Sequence, residues 1–104
     1  MIDFCVNISV KNATDIIKNN VANYSISGEL LNEYNNDFAT VLVFEQYYFR
    51  AGRITLTVII DTHFGKTHIH AISAGGKDIF GVDLGASKDF ENCVINALYQ
   101  YVIA

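Results

Sequence analysis

Proline is missing from all 104 residues, which removes proline-rich linkers and cis-proline turns from the possible architectures. Cysteine is scarce: Cys5 and Cys93 stand alone near opposite ends of the chain. Two distant cysteines suit neither a disulfide framework nor a zinc motif, and they read as buried, reduced thiols of a cytoplasmic protein. No apolar run approaches the ~20 residues of a membrane span, so no membrane partner is expected. The start, Met1-Ile2-Asp3-Phe4, carries an acid and no Lys or Arg, unlike a secretory signal. Basic runs are lacking as well: the seven Lys and Arg residues are scattered and the net charge is −4. Nucleic-acid binding draws on a concentrated basic footprint, so no nucleic acid is expected as a partner. The acids are scattered too, which speaks against a strong DNA mimic.

What is present describes a folded domain. Hydrophobic residues make up 51% and charged residues 17%, a balance that excludes disorder. A chain of this length buries roughly two-thirds of its extended surface, so residues 1–104 read as a single domain with one core. Apolar residues alternate at Ile2, Phe4, Val6, Ile8 and Val10, again at Ile54, Leu56, Val58 and Ile60, and again over Thr67–Ala74. A period of two puts alternate residues on opposite faces of a strand. Between these stretches, Asn12 is a candidate cap for a helix of about twelve residues with Asp15 in its first turn and Ala13, Ile16, Ile17, Val21 and Tyr24 on one side. A second strand is expected over Tyr24–Tyr34, interrupted at Gly28 by a bulge or a close backbone approach, then a turn at Asn35-Asn36-Asp37 and a third strand over Phe38–Tyr48. His63-Phe64-Gly65-Lys66 turns the fourth strand, Arg53–Asp61, into the fifth, and a short sixth strand is placed at Ile79–Val82. The last helix, capped by Ser87, carries Phe90, Cys93, Val94, Ala97, Leu98, Tyr101 and Val102 as one apolar stripe.

The order β-α-β-β-β-β-(β)-α gives an α+β fold: an antiparallel meander of four to six strands with two helices packed on one face. Two helices cover one face only, while Ile59 and one side of the third strand are apolar on the other. Large exposed apolar patches mark interfaces, so a homodimer through the open sheet face is expected.

Chemistry-bearing residues are few. His63, His68 and His70 fall within eight residues of one another. His68 and His70 share a strand face, and two imidazoles at i and i+2 can hold a metal, with Asp61 or His63 as third ligand. Four glycines occur between residues 75 and 85, shaping a connection beside the last helix. That segment offers Gly75, Gly76, Asp78, Phe80 and Asp83 as a groove for a ligand or partner. Gly75-Gly76-Lys77 is no Walker loop, because Ala71 stands where the first glycine belongs and Asp78 where Ser or Thr belongs. Gly-x-Ser-x-Gly, His-Glu-x-x-His and Gly-x-Gly-x-x-Gly are all missing, so no catalytic residue is named and no cofactor is expected.

The C-terminal half carries a resemblance. Gly52-Arg53-Ile54-Thr55-Leu56-Thr57-Val58, Ala71-Ile72-Ser73-Ala74-Gly75-Gly76, Ile79-Phe80 and Gly85-Ala86-Ser87-Lys88-Asp89-Phe90 together resemble a family of small uncharacterised bacterial proteins, catalogued as a domain of unknown function. The similarity covers roughly residues 40–95 and departs at Lys77-Asp78, where the family pattern has small polar residues. It implies a bacterial, cytosolic, stand-alone domain and brings no activity with it. The functional expectation is a non-enzymatic binding or interaction module. The alternatives are a small-ligand or metal-dependent enzyme using His68, His70 and Asp61, or an acidic inhibitor or immunity-type partner protein.

Overall fold

Alternation at period two lays down the sheet, and period 3.6 supplies its roof. The computed structural model describes residues 2–24, 29–48, 52–75 and 86–103. Its elements run β1 (Ile2–Val6), α1 (Val10–Tyr24), β2 (Glu29–Asn35), β3 (Ala39–Tyr48), β4 (Gly52–His63), β5 (Lys66–Gly75) and α2 (Ala86–Ala97), followed by a 3-10 turn at Tyr99–Tyr101. Five strands form one antiparallel sheet in the order β1-β5-β4-β3-β2. Strands β2 to β5 are the expected meander, and β1 returns to pair with β5. The sixth strand placed at Ile79–Val82 lies outside the described residues.

One face of this sheet is dry. Ile54, Leu56, Val58 and Ile60 of β4, Leu42 and Phe44 of β3, and Ile69 and Ala71 of β5 are fully buried, with Phe4 and Val6 of β1 beside them. Ala13, Ile17 and Val21 of α1 meet them at intervals of four, as do Phe90 and Val94 of α2 and Leu98 just beyond it. Both helices therefore lie on the same side of the sheet. Burying each Ile, Leu or Phe contributes about 1.5–3 kcal/mol, so this face holds the fold together.

Several local details differ from the sequence reading. Alternation continues to Val10, yet β1 stops at Val6 and α1 begins at Val10. Ser9, rather than Asn12, is the cap: Asn12 N donates to Ser9 Oγ at 3.1 Å. Ile8 and Val10 still pack against the core, so their apolar character serves the turn and the first helical turn instead of a longer strand. Asp15 consequently sits beyond the first turn, where it pairs with Lys11 at 3.8 Å on the exposed side. Tyr24 belongs to α1, and the register of β2 slips between Leu30 and Asn32; Gly28 lies outside the described residues. Helix α2 begins at Ala86, so Ser87 stands inside it, and its last residue is Ala97. Beyond it the chain bends: Tyr101 N donates to Leu98 O at 2.8 Å.

Two hairpins follow their turn chemistry. Asn36 Oδ1 accepts from Phe38 N at 2.7 Å and Ala39 N at 2.8 Å, closing β2 onto β3. At the β4–β5 turn, Phe64 (φ 51°) and Gly65 (φ 75°) are both left-handed, the type I′ geometry that matches strand twist.

Candidate functional site on the open sheet face

The face away from the helices is set by strand parity. Register places Tyr34, Val41, Ile59, His70 and Asp3 in one row across all five strands, and Ala39, Asp61, His68 and Cys5 in the next. Among the described residues no layer covers this face. Its middle is apolar: Val41 and Val43 are half-buried, while Tyr34, Ile59 and Ile72 are 60%, 37% and 50% exposed. At one end Arg53 Nη2 pairs with Glu45 Oε1 at 3.2 Å. The histidines hold the other end.

There the sheet assembles a polar cluster from distant parts of the chain. His68 and His70 project from β5 with ring centroids 4.1 Å apart. Asp3 of β1 lies opposite His70. Its carboxylate spans both rings: His68 Nε2 is hydrogen-bonded to Oδ1, and His70 Nδ1 lies 3.5 Å from Oδ2. The ligand atoms of Asp3, His68 and His70 all fall within 4.8 Å of one another. The two imidazoles are half-buried and Asp3 is open to solvent. His63 stands at the margin, its ring 5.8 Å from that of His68.

Asp61, the third ligand expected from sequence, does face His68, across the β4–β5 pair, but it stands outside the trio. Its Oδ1 is buried and has no hydrogen-bond partner among the described residues. Asp3 takes the third place. It had no local signal, because it lies 65 residues from His68. The usable clue was its position on the wet side of β1, and that needed the β1–β5 pairing to become informative. Of the proposed groove, Gly75 ends β5 with φ 86°, while Gly76, Asp78, Phe80 and Asp83 lie outside the described residues.

The thiols are chemically unequal in place. Cys5 is half-buried on the open face, opposite His68. Cys93 is buried on the core side of α2, as expected of both thiols, and burial pushes its thiol pKa up to about 12. No helix among the described residues is long and apolar enough to cross a membrane.

A family model described as a family of unknown function (DUF6054) matches residues 1–102. The resemblance carried by the C-terminal motifs thus extends over nearly the whole chain. No curated protein and no solved structure matches it.

Proposed function

The chain belongs to this family of unknown function, and we propose that it is a binding module that pairs with a second copy of itself through the open sheet face. One observation carries this reading: Tyr34, Val41, Val43, Ile59 and Ile72 form an apolar middle, with charged groups at both ends of the strands. An apolar centre with a polar rim is the anatomy of a protein interface. A two-fold pairing is favoured because such a centre is complementary to itself. Five strands at ~4.8 Å and six residues at ~3.4 Å make a plate of about 24 by 20 Å, or on the order of 500 Å² per copy. Two plates then bury on the order of 1,000 Å², the lower limit for a specific contact. The pairing is therefore weak and concentration-dependent. Two free thiols, Cys5 and Cys93, favour a reducing compartment, and we place the module in the cytoplasm.

Light scattering across a concentration series tests this. The mass should rise from one chain to two between micromolar and millimolar protein. Ile72→Glu should hold it at one chain while leaving the melting temperature of the dilute protein unchanged. A wild-type chain that stays single throughout sinks the proposal.

A further inference from the structure

We infer that Asp3, His68 and His70 form a binding site for a divalent transition-metal ion of the zinc, cobalt or nickel type. The donor set selects the ion. Two imidazoles with one carboxylate suit these metals, whereas magnesium and calcium demand oxygen ligands throughout. Geometry brings the donors close: their ligand atoms already lie within 4.8 Å of one another. Bonds of about 2.0–2.1 Å in a tetrahedral site put neighbouring donors about 3.4 Å apart. The donors thus stand near the spacing an ion needs, on a backbone held by the sheet.

The strands supply the rigidity. His68 and His70 sit two residues apart on β5, and Asp3 reaches them from β1 through the pairs Asp3–His70 and Cys5–His68. One carboxylate bridges both rings through its two oxygens. A cation placed between Asp3 and the rings would replace that contact with one bond to each of the three side chains.

Asp61 gives an independent reason to expect a cation. Its Oδ1 is buried and without a hydrogen-bond partner among the described residues, and it stands across from His68. A carboxylate oxygen kept from water is costly unless a positive charge or a donor compensates it. A divalent ion held by the trio would put positive charge on the strand that Asp61 faces. Three protein ligands leave a fourth position for water or another donor, the arrangement of exchangeable rather than closed structural sites.

All three ligands come from one copy, so this site stands or falls separately from self-association. Chelator-stripped protein is titrated with Co(II) and with Zn(II), followed by calorimetry and, for cobalt, by visible absorption. One ion per chain at micromolar affinity or tighter is expected, in wild type and equally in the Ile72→Glu variant. His68→Gln, His70→Gln and Asp3→Asn should each weaken binding by at least about tenfold, while His63→Gln changes it less than about threefold. In wild-type protein, Co(II) should broaden the NMR resonances of His68, His70 and Asp3 first, a readout that requires no variant to fold. Failure to take up either ion at about 100 µM free metal overturns the site. So does uptake that His68→Gln and His70→Gln leave unchanged, or broadening centred elsewhere.

Discussion

Gly75 shows how much a single position can carry. It closes β5 with φ 86°, and a Cβ there would lie 2.8 Å from the carbonyl oxygen of Arg53 on the neighbouring strand. Both the left-handed backbone and the contact exclude a side chain. Gly75→Ala should lower stability by about 1–3 kcal/mol, read as a leftward shift of the urea midpoint. Glu91 is a second such residue. By sequence it is one acid near the start of a helix; in the fold it ties α2 to β5, accepting from Ser73 N at 3.0 Å and Ser73 Oγ at 2.7 Å. Burial pushes its pKa up, but hydrogen bonds and nearby positive charge, those from the Ser73 hydroxyl and amide first among them, together outweigh that and hold the carboxyl below its ordinary value of 4.5. A lowered folded pKa means this stabilisation is full above the ordinary carboxylate range and is lost as pH falls through the folded pKa. Glu91→Ala should cost about 1–3 kcal/mol at pH 7, and the gap between variant and wild type should narrow as the pH of the melts is taken down from the ordinary value of 4.5. A constant gap across that range would refute the Ser73 linkage.

At the scale of elements, the informative piece is the short tail beyond α2. Strand β1 is the last in the sheet, and its outer edge would be open to pairing with other chains. The tail closes it: Asn7 N donates to Tyr101 O at 3.0 Å, Ile103 N donates to Cys5 O at 3.0 Å, and Val102 bridges to Val6. Removing residues 100–104 should cost about 1–3 kcal/mol, from lost hydrogen bonds and burial, and should speed amide exchange at Asn7 while leaving β3 and β4 protected. Unchanged exchange at Asn7 would show that the tail does not hold the edge. Spacing alone fits a continuous helical stripe from Phe90 to Val102, because Leu98, Tyr101 and Val102 do face the core. The bend after Ala97 is invisible to that pattern: a 3-10 turn and a pairing tail keep the same residues apolar. The cap at Ser9 was hidden for a similar reason, since alternation through Ile8 and Val10 fits a longer strand equally well.

At the scale of the molecule, the two faces of one sheet differ in kind. The residues under the helices supply the stability, and the side that no described layer covers carries both the apolar middle and the histidine end. The self-association and metal experiments probe that second side, and Ile72→Glu is expected to abolish the first and leave the second. The amino-acid sequence by itself determined the α+β class, the order of the five described strands and two helices, the dry side of β1 and of β4, and the sharing of a face by His68 and His70. Those properties follow from periodicity and turn chemistry, which act over a few residues. Only the tertiary structure decided that β1 lies beside β5, that Asp3 rather than Asp61 completes the histidine cluster, and that the tail seals the free edge. Each of these joins segments far apart in the chain, and pairing at such range depends on how the whole sheet closes its core, which no local pattern records.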